Sequence, residues 1–103
     1  MPAWTEPIEF YEIPYDGTAL SLTEKAGLIE GSGTKTRVPI DSLVATEEEV
    51  VAEAVSEYKR TRKWSQRPID VVQRGGRYLI LDGHHRSAAA ADSGVESIPA
   101  IVL

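Results

Sequence analysis

Residues 77–92 read Arg77-Tyr78-Leu79-Ile80-Leu81-Asp82-Gly83-His84-His85-Arg86-Ser87-Ala88-Ala89-Ala90-Ala91-Asp92. Arg77 to Leu81 is apolar enough to be a strand buried on both faces. Gly83 breaks it, and the four alanines that follow favour a helix lying close against a sheet. A buried strand that turns at a glycine straight into a helix has a chemical consequence. The first N–H groups of the helix point out of the turn, with the positive end of the dipole behind them. Gly83 is expected to let a ligand approach the backbone. Arg86 offers a cationic fork to phosphate oxygens, and His84 and His85 are donors that change charge near neutral pH. The stretch predicts a phosphate cradle in which Gly83, His85, Arg86 and Ser87 bind and His84, His85 and Asp82 handle protons. Its spacing is not that of a Walker loop. Two structural roles stay open at this point. Arg86 can simply pair with Asp82, and adjacent histidines diverge by about 100° on a helix and seldom share a metal.

Working outward, Gly94 is a natural helix stop, and Ile98 to Val102 closes the chain as a short strand. On the other side, Ile69-Asp70-Val71-Val72 reads as a strand entered through Pro68, and Gly75-Gly76 as the hairpin turn to Arg77. Residues 77–82 should be an inner strand, and 84–93 a helix whose N-terminus opens into a pocket. Further upstream, Thr46 and Glu49 have capping-box spacing. Val50, Val51, Ala54, Val55 and Tyr58 recur at helical intervals, so a helix is expected over 46–60. Glu47, Glu48 and Glu49 fall in its first turn, where carboxylates complement the dipole. Val38 to Leu43 looks like a short strand ending in a turn. Residues 1–37 read as an N-terminal extension: Ile8 to Ile13 has strand composition, Pro14-Tyr15-Asp16-Gly17 is a turn signal, and Gly31-Ser32-Gly33-Thr34 is a loop.

The 103 residues amount to one modest domain of mixed α/β class, with 42% apolar and 26% charged residues. No apolar run is long enough to span a membrane, and the start lacks a signal-peptide pattern. A soluble cytoplasmic protein is expected. There are no cysteines, which excludes disulfide scaffolds, thiol catalysis and cysteine-bound zinc. The net charge of −5 is unevenly spread: residues 1–57 hold 12 acidic and 3 basic residues, residues 58–103 hold 4 and 8. An anionic ligand should therefore dock on the C-terminal half. Lys59-Arg60-Thr61-Arg62-Lys63-Trp64-Ser65-Gln66-Arg67 could grip a nucleic-acid backbone with Trp64 as a stacking platform, or end a helix with Trp64 anchored in the core. A strand at 8–13 would leave edge groups able to pair with a second copy, so a homodimer is expected.

Residues 38–103 resemble the ParB/sulfiredoxin superfamily, in particular the ParB-like nuclease domains of phages and mobile elements. The resemblance is carried by the ordered series Asp41-Ser42-Leu43, a helix, Arg67-Pro68-Ile69-Asp70-Val71-Val72, Gly75-Gly76-Arg77-Tyr78-Leu79-Ile80-Leu81, Asp82-Gly83-His84-His85-Arg86, an alanine-rich helix and Ile98 to Leu103. It covers about two thirds of the chain. In ParB proteins the turn reads Gly-Glu-Arg-Arg and faces a nucleoside triphosphate with its magnesium. Gly83 and Arg86 match, while His84 stands where the glutamate would be. In sulfiredoxins the turn reads Gly-Gly-Cys-His-Arg and cradles ATP; Gly83, His85 and Arg86 match, and His84 replaces the cysteine. The resemblance implies binding of a nucleoside triphosphate (ATP or CTP) or a nucleic-acid phosphate, with nuclease or nucleotide phosphohydrolase chemistry, and Mg2+ as its companion. It also places Arg67, where ParB domains carry a pocket glutamine, near the phosphates. Asp70 and Asp82 are the carboxylates nearest the turn and could hold a metal through water, although no dedicated metal site is expected. The chain ends at Leu103, before the helix-turn-helix and dimerisation domains of ParB, so a complete partition protein is not expected. The alternative function is a non-catalytic phage or mobile-element protein that binds a host protein.

Overall fold

The structure, a computed structural model, describes residues 13–18, 20–47 and 50–103. In chain order its elements are α1 (Leu22–Gly27), β1 (Thr34–Pro39), a 3₁₀ turn (Ile40–Ser42), β2 (Leu43–Val44), α2 (Ala52–Thr61), a second 3₁₀ turn (Lys63–Ser65), β3 (Ile69–Arg74), β4 (Arg77–Asp82), α3 (His84–Asp92) and β5 (Ser97–Val102). The five strands form one mixed sheet in the order β1-β5-β3-β4-β2. β4 is an inner strand, as its composition predicts, pairing antiparallel with β3 and parallel with β2.

The pleat divides β3 and β4 between two apolar clusters. Val71 and Ile80 face one side, in the cluster that also holds Ala88, Ala89 and Ala90 of α3, Val55 of α2, and Trp64. Val72 and Leu79 face the other, against Leu20 and Val44. The alanines let α3 lie close on the sheet, and the strand buried on both faces follows from a sheet covered on both sides.

Three expectations change. The helix expected over 46–60 begins only at Ala52, with no side-chain cap at Val51. Thr46 is not its N-cap, because its N–H and hydroxyl are engaged elsewhere in the fold, as described below. The strand at Val38 starts earlier, at Thr34, since it pairs along its whole length with β5. Arg77 lies exposed at the start of β4, so burial on both faces holds only for the middle of the strand. A capping box does occur, but at α1, between Ser21 and Glu24. The strand expected at 8–13 falls largely outside the described residues; Ile13 is fully buried. Among the described residues no helix is long and apolar enough to cross a membrane.

Candidate functional site

α3 begins as expected, directly at the end of β4. Gly83 has φ of 107°, and no side chain caps the helix. A Cβ at Gly83 would collide with the side chain of Ile69 on β3 and come within 3.0 Å of Arg86 Nη2. The glycine is thus required by its left-handed backbone and by packing on β3, not by an open approach for a ligand. A cavity of about 300 Å3 opens at this helix end, lined by Glu47, Tyr58, Arg67, Asp82, Gly83, His84, His85 and Arg86.

Arg86 does not present an open fork. Its side chain is 7% exposed. Nη1 donates to the carbonyls of Arg67 and Pro68 at 2.9 and 2.8 Å, and Nη2 to Asp82 Oδ2 at 3.2 Å. The guanidinium ties the start of β3 to the end of β4, which is the structural role the sequence left open. Ser87 is likewise turned inward: it is fully buried and its Oγ donates to the carbonyl of Gly83. Its backbone N–H closes the first helical turn on the same carbonyl, so the hydroxyl and N–H of Ser87 are both engaged within the fold. Arg67 is the cation left facing solvent at the cavity, 73% exposed and 3.9 Å from Asp82.

Both histidines are held by the segment that follows β2. Thr46 N donates to His84 Nε2 at 3.0 Å, and Val51 N donates to His85 Nε2 at 2.9 Å. His84 is buried, with Nδ1 3.1 Å from Glu47 Oε1. That hydrogen bond is the main cause holding the Glu47 carboxyl below its ordinary pKa, against partial burial. Burial pushes His85 down, against the pull of Glu47. An imidazole whose Nε2 accepts a backbone N–H must give up that bond to take a proton there, which works against protonation of either ring. Glu47 is the exposed carboxylate that the cavity places beside these rings.

Glu47 and Tyr58 were read from the sequence only as helix residues. The signal that could have found Glu47 is topological: β2 runs parallel to β4, with Val44 opposite Leu79, so the residues after β2 fall beside the residues after β4. A second group lies close by. A register shift between Asp70 and Val71 sets Asp70 opposite Asp82. Carboxylate oxygens of Glu30, Asp70 and Asp82 all come within 4.8 Å of one another. Asp70 is buried, with Oδ1 accepting from Gly31 N at 3.0 Å. Trp64 is 4% exposed and anchors the basic stretch to the core, so it cannot serve as a stacking platform. Within that stretch Lys59 pairs with Asp92, Arg60 pairs with Glu57, and Arg62 lies over the Trp64 ring.

No protein-family model matches this sequence, and no curated protein matches it. Solved structures do match in fold. A C-terminally truncated chromosome-partitioning protein ParB from Caulobacter crescentus, complexed with CTP-gamma-S, superposes with a TM-score of 0.58 at 22% identity, over 69% of this chain and 44% of that one. A free serine kinase in complex with AMP gives 0.60 at 22% identity, over 69% of this chain and 31% of the kinase. Sulfiredoxin from Arabidopsis thaliana gives 0.58 at 24% identity, over 68% of this chain and 84% of that one. The chain therefore spans less than half of the ParB and about a third of the kinase. It has the ParB/sulfiredoxin-like α/β fold.

Proposed function

We propose that this domain binds the phosphate chain of a nucleotide at the N-terminus of α3 and supports phosphoryl transfer from it to a hydroxyl group. The observation that carries the reading is the cavity at an uncapped helix N-terminus, with exposed Arg67 on one wall and Glu47, ionised and hydrogen-bonded, on another. A helix N-terminus favours phosphate oxygens, and Arg67 supplies a two-pronged cation that can follow them. Glu47 is the acid–base group: within reach of an acceptor hydroxyl it would take the proton as the oxygen attacks. With water as the acceptor, the same groups would give nucleotide hydrolysis. His85 contributes a neutral donor, and Arg86 holds the walls in place. The fold's neighbours support the ligand class, since one is complexed with CTP-gamma-S and another, a serine kinase, with AMP.

Magnesium accompanies nucleotides, and the oxygen donors Glu30, Asp70 and Asp82 suit a hard cation. When bound, such an ion would neutralise phosphate charge. Calorimetric titration with ATP, CTP, ADP and AMP, each with and without Mg2+, tests the reading. Saturable binding that weakens about tenfold in Arg67→Ala is expected, the loss of one charge-assisted contact. No binding by any of the four nucleotides would end it.

A further inference from the structure

Both histidines of this chain receive a backbone N–H on the same ring nitrogen, Nε2. For His84 the other nitrogen faces a carboxylate, Glu47 Oε1 at 3.1 Å. The three protonation forms of the ring can be set against these two contacts. With the proton on Nε2, two donors would confront each other at Thr46, and a lone pair would confront the carboxylate. The imidazolium keeps the carboxylate but loses the bond from Thr46. The neutral ring with its proton on Nδ1 satisfies both contacts. Thr46 is itself pinned: it is buried, and its Oγ1 donates to the carbonyl of Ile80 at 2.6 Å. It therefore joins inner strand β4 and the first residue of α3, both more than thirty residues on, to the cavity carboxylate next to it in the chain.

We infer that Thr46 is a positioning residue: anchored on Ile80, its N–H selects the Nδ1–H form of His84, and that form aims the Glu47 carboxylate. The same logic at His85, through Val51 N–H, leaves Nδ1–H as its one donor and makes His85 a neutral hydrogen-bond donor. For a neutral His84, what acts on Glu47 is the hydrogen bond from its ring, the largest of the causes that lower the carboxyl, with burial opposing. The role given to Glu47 rests on the functional reading above, but the state of the rings is measurable without any ligand.

Long-range 1H–15N spectra of the full chain at neutral pH report which nitrogen of each histidine carries the proton, and two histidines make assignment direct. Nδ1–H on His84 is expected; Nε2–H there overturns the proposal. Thr46→Val keeps the N–H and removes the hydroxyl anchor. In it, His84 should lose its single tautomer, and the 13C-detected titration of Glu47 should move up toward an ordinary glutamate. Thr46→Ser, which keeps the hydroxyl, should restore both. An unchanged tautomer and an unchanged Glu47 midpoint in folded Thr46→Val would overturn the assignment. If Thr46→Val does not fold, the wild-type tautomer and the Glu47 midpoint in Thr46→Ser decide: both must match the wild-type expectation. Failure of all four nucleotides to bind counts against the functional reading, whereas a wrong tautomer counts against Thr46.

Discussion

The turn at residues 82–86 and the segment from Thr46 to Val51 meet at one cavity, yet they reach it by opposite routes. The turn carries its chemistry in adjacent residues, and most of that chemistry is used inside the fold: Gly83 for a left-handed backbone against Ile69, Arg86 for two carbonyls and Asp82, Ser87 for the carbonyl of Gly83. The segment after β2 resembles a helix cap in sequence, but it supplies the cavity's carboxylate and the N–H groups that hold both histidines. A conspicuous motif can thus be used inside the fold while an inconspicuous neighbour supplies a side chain to the cavity wall. Arg86 is consumed by acceptors at the start of β3 and at Asp82, whereas Glu47 keeps a carboxylate more than half exposed at the cavity.

The sharpest test of that division is Arg86→Ala. Removing a buried cation that pairs with Asp82 should cost about 3–5 kcal/mol in urea denaturation, and Arg86→Lys should recover only part, because a point charge cannot reach three acceptors in a plane. If the variant instead keeps its stability and loses nucleotide affinity, the turn belongs to the ligand and the comparison is reversed. Gly83→Ala should follow at about 2–4 kcal/mol, combining a left-handed backbone with a clash at Ile69; a change under about 0.5 kcal/mol would mean the turn has room to relax. Arg67→Ala should do the opposite of Arg86→Ala, leaving stability within about 0.5 kcal/mol while weakening nucleotide binding about tenfold.

The smallest expected effects are those of pH. His85 titrates below its ordinary value of 6.5 in the folded chain, so the folded state binds fewer protons than the unfolded one in that window. Stability should be complete above pH 6.5 and decline as pH falls through the folded value. His85→Gln should flatten this decline in chemical denaturation measured from pH 7.5 to 5. Glu47, also depressed, adds stability that is lost at lower pH, as the solution falls through its folded value below 4.5. Its carboxylate is more than half exposed, so solvent screening keeps that contribution small. Glu47→Gln should make the acid-side decline slightly shallower and, by removing the pull that raises His85, deepen the decline below pH 6.5.

Much of the fold was legible because its signals are short-ranged. The hairpin at Gly75-Gly76, the buried strand, the glycine turn and the alanine helix are each declared within a few residues, and the structure realises them at β3, β4 and α3. The helix start was misread because Thr46 and Glu49 satisfy the capping-box spacing, while the hydroxyl and N–H of Thr46 find partners on β4 and α3 instead. Local spacing is a weak prior once a buried acceptor competes for the same donor.

By itself the sequence determined that an apolar strand would turn at Gly83 into a close-packed helix, and that its cations would gather in the C-terminal half. Glycine's backbone freedom, alanine's small size and the alternation of apolar residues act locally, so no partner was needed to read them. Only the tertiary structure decided which of the site residues face inward and which face the cavity. Arg86 finds its carbonyls 19 and 18 residues back, His84 meets Thr46 across 38 residues, and His85 meets Val51 across 34. The Arg86 contacts close because β3 pairs antiparallel with β4, and the histidine contacts because β2 pairs parallel to β4 and brings their C-terminal ends together. A buried donor takes whatever acceptor the packed fold places beside it, and that choice is made in three dimensions.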